Sequence, residues 1–292
     1  MSAASAALVL ALLAGCGGSP APTPTSSTSS SASTPPTDGT APESAPEPTG
    51  DAGTSASDTE PSATGPALTV HADVTSGAVV LDPELVSTGT GEPATASSVP
   101  DADTGTVLTL TVPDPATAVS LDVQDATGAT ARSEADRSAS VASADGALLL
   151  GVAPPEASAP DGGQPRVRWL AADGGAPRLD LDLDDVDAAA FPLTVTTHLG
   201  TSVVASTSWG DREGGRSIAV TPTDWGRVSG ATGSVFAWGD LLAADPTADS
   251  PGMEEQLQCH LLGARDKATW NLEPWRPAVS LVEYALARCN PT

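Results

Sequence analysis

The sequence predicts an α+β multidomain chain: a disordered stalk, an antiparallel β-sandwich-like domain, then a small α-rich domain with a short β element and one disulfide. Three observations predict it. Residues 17–66 contain almost nothing but Ser, Thr, Ala, Pro, Gly and a few acids. Residues 67–207 alternate apolar and polar side chains with period two, the signature of half-buried strands. Beyond Ser208 the spacing becomes helical, and two of the three cysteines of the 292-residue chain lie there.

The N-terminal elements come first in the chain. An apolar run from Ala3 to Leu13 ends in Leu13-Ala14-Gly15-Cys16. Small residues at Ala14 and Gly15 give a peptidase access to the backbone, and the Cys16 thiol is the nearby nucleophile able to accept a diacylglycerol through a thioether. The pattern resembles the processing signal of bacterial lipoproteins. It implies a signal peptide over 1–15 and Cys16 as the lipidated mature N-terminus, although no Lys or Arg precedes the run. Two acyl chains hold a protein on a bilayer at about 0.8 kcal/mol per buried CH₂. The run is far short of the roughly 20 residues of a spanning helix. The expected location is the extracytoplasmic face of the plasma membrane, with the membrane as partner through the anchor and the chain extending into the cell wall.

The segment 16–66 lacks Leu, Ile, Val and aromatic residues and cannot bury a core. As a flexible tether it would span roughly 40 Å end to end.

In 67–207 the alternation is explicit. Leu108, Leu110 and Val112 interleave with Thr109 and Thr111, and Val119, Leu121 and Val123 with Ser120, Asp122 and Gln124. Leu179, Leu181 and Leu183 alternate with Asp180, Asp182 and Asp184, and Phe191, Leu193 and Val195 with Pro192, Thr194 and Thr196. Gly and Pro punctuation every ten or so residues completes the reading of an antiparallel sandwich. The acidic run Asp180 to Asp187 is no calcium loop: counted from Asp180, the positions needing a turn glycine and a glutamate hold Asp185 and Phe191. His71 and His198 read as ordinary strand residues.

Charge argues against two classes of partner. The formal charge is −25, and residues 67–207 hold twenty acids against five bases. Nucleic acid and anionic membrane faces both demand clustered Lys and Arg and are poor partners for such a surface, so no nucleic-acid partner is expected; a solvated acidic surface is the preferred reading.

In 208–292, a short strand is expected around Ile218 to Val220. Val235, Trp238 and Leu242 form one helical stripe. Ser250 as N-cap, Pro251 at the first helical position, and Met253, Leu257 and Leu261 mark a second helix ending near Gly263. A third should start near Pro277 with Val279, Val282, Leu286 and Cys289 on one face. With Cys16 lipidated, Cys259 and Cys289 remain as a pair in a disulfide-permissive compartment, and bonding them would contribute about 3.6 kcal/mol in the chain-entropy model.

Thr221 to Trp225, Met253 to His260, the string Lys267-Ala-Thr-Trp-Asn-Leu-Glu-Pro-Trp-Arg-Pro277 and the closing Cys289-Asn290-Pro291 resemble the C-terminal domain of many exported actinobacterial proteins, catalogued as domain of unknown function 2599. The resemblance covers roughly 208–292. It implies an envelope location and supports the disulfide, and it transfers no catalytic residue, substrate or cofactor.

The residues themselves leave two functions open. His260 and Glu273 as proton-transfer groups, with Arg276 holding an anion, would make an envelope hydrolase. A non-catalytic binding or structural module, with Trp270, Trp275, Asn271 and Lys267 facing a cell-wall polymer or envelope protein, is the preferred reading; tryptophan and arginine dominate binding hot spots. In that reading Glu273 and Arg276 are a structural ion pair and His260 a core histidine. No metal or cofactor is expected, because the domain has no second histidine or free cysteine, and the lack of a serine in a recognisable nucleophile turn weakens the hydrolase reading.

Overall fold

The computed structural model describes residues 66–87, 91–172, 177–212 and 214–292. Cys16, its signal and all but the last residue of the tether lie outside them. The described residues are mostly β-sheet with a few helices, and all fall in one compact unit.

Among the described residues twelve strands precede Thr201: β1 (Ala67–Asp73), β2 (Val80–Ser87), β3 (Thr95–Pro100), β4 (Thr106–Val112), β5 (Ala118–Val123), β6 (Thr130–Ser133), β7 (Ala139–Ala142), β8 (Leu148–Val152), β9 (Glu156–Ser158), β10 (Arg168–Ala171), β11 (Arg178–Asp182) and β12 (Leu193–Gly200). One sheet runs β10-β11-β5-β1-β2 and the other β3-β4-β12-β8-β7-β6, with β9 also on β12. The expected alternation becomes burial: Leu108, Leu110, Val112, Val119, Leu121, Val123, Leu179, Leu193 and Val195 are all buried in one cluster drawn from both sheets. Each such side chain contributes about 1.5–3 kcal/mol relative to exposure. Phe191 lies outside its expected strand, in the turn before β12, where it only partly packs on the core.

One pairing departs from an all-antiparallel arrangement. β1 runs parallel to β5, with Val70 opposite Leu121. Parallel neighbours need a crossover, and here the chain supplies it by visiting the second sheet as β3 and β4 before returning.

A third sheet, β13-β14-β15, follows: β13 (Val204–Arg212), β14 (Gly215–Pro222) and β15 (Trp270–Leu272). Around it lie α1 (Asp224–Val228), α2 (Gly230–Ala244), α3 (Met253–Gly263) and α4 (Leu281–Leu286). Three helix expectations are corrected. On α2 the fully buried side is Thr232, Gly233, Ala237 and Leu241; of the expected stripe Trp238 and Leu242 are half-buried against the same core and Val235 alone is exposed. The α3 stripe Met253, Leu257 and Leu261 is buried as expected, but its N-cap is Gly252 at φ 81°, with Ser250 and Pro251 in the turn before it. The last helix begins at Leu281, with a Ser280–Glu283 capping box, and turns Tyr284 inward. Val282 and Leu286 point to solvent, and Cys289 follows the helix in a left-handed turn.

The C-terminal segment is seated on the second sheet. Trp225 is fully buried against the bare backbone of Gly151 on β8 and Gly200 on β12: a Cβ at either glycine would lie 2.0 or 2.6 Å from the indole side chain. The N-terminus of α2 has no cap from its own Ser229. Instead Asp136 Oδ2 accepts from Ala231 N at 2.7 Å and Ser138 Oγ from Thr232 N at 3.2 Å. Asp240 of α2 holds the link between β12 and β13, accepting from Ser202 Oγ, Val203 N and Val204 N at 2.8, 2.6 and 2.7 Å.

Candidate functional site

His260 sits on the inner face of α3, 3 % exposed. Its Nε2 lies 3.1 Å from the Asn271 carbonyl oxygen of β15. A carbonyl only accepts, so Nε2 carries the proton and Nδ1 is the bare nitrogen. That Nδ1 is buried with no hydrogen-bond partner. Burial is the main force on the imidazole; against the pull of the Asn271 carbonyl, and with the Lys267 charge nearby, it lowers the pKa to about 4. The ring is neutral at physiological pH.

Glu273 follows β15 directly and is 4 % exposed. Its carboxylate pairs with the guanidinium of Arg276, itself 6 % exposed, and Arg276 Nη1 also donates to the Pro291 carbonyl at 3.1 Å. The pair therefore anchors the C-terminal tail. Gln256 of α3 completes the arrangement: its Oε1 accepts from Glu273 N at 2.8 Å and its Nε2 donates to the Glu273 carbonyl at 3.0 Å. This side-chain amide, which sequence reasoning passed over, extends the β15 edge as a strand would. His260 thus orients on Asn271 and Glu273 on Arg276, and no hydrogen bond joins His260 to Glu273 among the described residues.

The tryptophans divide. Trp270 is fully buried and donates Nε1–H to the Ala264 carbonyl at 3.0 Å, so it has no open ring face. Trp275 is 41 % exposed; its ring lies over Gly215, with the Arg276 guanidinium 4.6 Å from the ring centroid. Its one exposed portion is what a ligand would meet. Asn271 is half-buried and borders a shallow polar hollow of about 120 Å³ beside Trp209 and Ser217. Lys267 is exposed in the turn after α3, whose carbonyls Arg227 of α1 clamps through bonds to Arg265, Lys267 and Ala268 at 2.7, 2.6 and 3.3 Å.

Cys259 of α3 and Cys289 are disulfide-bonded, with Cα atoms 5.6 Å apart. The bond ties α3 to the turn after α4. Among the described residues no group of three His, Cys, Asp or Glu side chains converges to hold a metal, and no helix is long and apolar enough to cross a membrane.

Residues 204–292 match the family model described as a protein of unknown function, DUF2599. Uncharacterized proteins of Mycobacterium tuberculosis and Mycobacterium bovis are 37 % identical over 97 residues, 30 % of this chain and 66 % of the relative, so the match spans just under two thirds of those relatives. An uncharacterized protein of Mycobacterium leprae is 42 % identical over 59 residues, 19 % of this chain and 48 % of the relative. No solved structure matches the chain.

Proposed function

With a C-terminal part that matches the DUF2599 family, we propose that this protein is a lipid-anchored, extracytoplasmic envelope module whose C-terminal domain binds or scaffolds rather than catalyses. The domains in this reading are the signal over 1–15, the lipidated tether over 16–66, the acidic β-rich domain over 67–207 and the C-terminal domain over 208–292. The observation that carries the non-catalytic reading is the separate engagement of the two proton-transfer candidates. His260 is buried, neutral and turned to a backbone carbonyl, and Glu273 is spent in an ion pair that fastens the tail. General acid–base work needs a group within reach of a substrate and a pKa near the operating pH, and neither residue meets both conditions. The anchor rests on the sequence Leu13-Ala14-Gly15-Cys16.

The anchor is tested by expressing the full chain in a bacterial host fed an alkynyl fatty acid. Label on the wild-type protein that disappears in Cys16→Ala, with release of the variant from membranes, supports it. Equal labelling of both proteins, or none of either, contradicts it.

A further inference from the structure

A groove runs between α3 and α4, floored by the Cys259–Cys289 disulfide and lined by Leu262, Gly263, Ala264, Leu281 and Ala285, with Lys267 and Arg288 at its rim. We propose that this groove binds the acyl chain of an anionic lipid, with Lys267 and Arg288 holding the headgroup.

Three observations argue for that occupant. The first is charge. The chain has 37 acids against 12 bases, yet the groove is lined by two bases and no acid, one of them the chain's single lysine. An anionic ligand is repelled over most of this surface and met here by a point charge and a planar fork, the two side chains suited to phosphate or carboxylate.

The second is size and polarity. The groove is an open, largely apolar hollow of about 430 Å³. At roughly 30 Å³ per methylene, about the share of liquid volume of one water, that corresponds to a chain of at most about fourteen carbons, and the volume lies in the range of small-ligand sites. A docking helix would need several side-chain pockets along a longer trough, whereas α4 is one and a half turns from Leu281 to Leu286. Leu262 of the groove wall is 58 % exposed, so an entering chain meets it directly.

The third is that the rim is built in advance. Lys267 lies in the turn clamped by Arg227. Arg288 and Cys289 occupy the left-handed region at φ 53° and 66°, a conformation that costs a non-glycine residue energy and is held by the Cys289 N–H bond to the Tyr284 carbonyl at 2.7 Å and by the disulfide. This fixes the backbone that carries Arg288 beside the groove.

The inference deepens the binding role proposed above by naming a ligand class, and it does not depend on lipidation of Cys16. The full-length Cys16→Ser chain, which carries no anchor of its own, is titrated with a fluorescent undecanoic acid, and the probe is displaced with a single-chain phosphatidylglycerol or its phosphatidylcholine counterpart. Saturable one-to-one binding is expected, with the anionic lipid displacing the probe at least tenfold better than the zwitterionic one. Lys267→Gln, an exposed substitution, should weaken binding about tenfold, and Ala285→Trp, which fills the groove, should abolish it while circular dichroism stays unchanged. Should Ala285→Trp fail to fold, Lys267→Gln and Arg288→Gln together decide the matter. Absent saturation, equal displacement by both lipids, or binding indifferent to these substitutions overturns the proposal. Concentration-dependent dimerisation without lipid binding, abolished by Ala285→Trp, overturns it too and gives the groove to a second copy. Absence of fatty-acid label on the wild-type chain overturns only the anchor; absence of saturable probe binding to the Cys16→Ser chain overturns only the groove.

Discussion

A single methyl group tests how closely the C-terminal segment is fitted to the second sheet. In Gly151→Ala the new Cβ would stand 2.0 Å from Cζ2 and 2.4 Å from Cη2 of Trp225, which is 0 % exposed and has nowhere to retreat. Overfilling a packed site costs about 1–3 kcal/mol, and these distances place the cost near the upper value. Against it, Ala in a strand gains about 0.5–1 kcal/mol over Gly through lower unfolded-chain entropy. The net expectation is a loss of about 2 kcal/mol, or roughly 4–8 °C in a melt of a domain this size. Gly239→Ala on α2, where a Cβ meets nothing within 4 Å, is the control and should stabilise by about 1 kcal/mol. Urea unfolding of the Cys16→Ser chain reads both. Trp225→Ala should cost about 3–5 kcal/mol, and adding Gly151→Ala to it should cost nothing more, because the clash is gone. A Gly151→Ala protein as stable as the wild type would refute the seating of Trp225 on the glycines.

Other consequences follow from the same contacts. Glu273→Gln removes the buried counter-charge of Arg276 and should destabilise by about 3–5 kcal/mol in urea, whereas Glu273→Gln combined with Arg276→Met should cost less than the sum of the two single substitutions. Burial pushes the Asp136 carboxyl up, but hydrogen bonds from Ser138 and Ala231 outweigh it and hold its pKa below the ordinary value. Its contribution is therefore complete above the unfolded value near 3.8 and disappears as pH falls through the lower folded value. Asp136→Ala should cost about 0.5–2 kcal/mol at pH 7 and nothing measurable once the carboxyl is protonated; an equal deficit at both pH values would contradict the helix-capping role. Replacing both Cys259 and Cys289 by Ser should lower stability by about 2–5 kcal/mol, and an unchanged urea midpoint would contradict a structural disulfide.

What could be read in advance depended on how local the cause was. Leu108, Leu110 and Val112 announce their strand because alternation is a property of neighbouring residues, and Met253, Leu257 and Leu261 announce α3 for the same reason. The parallel pairing of β1 with β5 is not local, since it follows from the path of the chain through another sheet. The seat of Trp225 needs Gly151 and Gly200, each unremarkable alone, brought together by the β8–β12 pairing. At the candidate site the residues were legible and their partners were not. His260 and Glu273 stood out as titratable groups, while the atoms that occupy them, the Asn271 carbonyl and the Arg276 guanidinium, are set by β15 lying against α3. Gln256 carried no signal, because a side-chain amide replacing a strand partner leaves no pattern in sequence. The stripe expected at Val282 and Leu286 misled for the opposite reason: a six-residue helix buries only Tyr284, and its apolar outer face is left to solvent.

His260 as a structural histidine is tested most directly by an NMR pH titration of its imidazole in the full-length Cys16→Ser chain, repeated in Glu273→Gln. The folded-state value of about 4 lies below the unfolded 6.5, so the folded ring should stay neutral, with its proton on Nε2, from about pH 8 down to 5. By the same linkage, stability should be full above pH 6.5 and decline as pH falls toward 4. An imidazole that titrates near 6.5 in the folded protein, and shifts when Glu273 is neutralised, would contradict a structural His260 and return the pair to the role of acid and base.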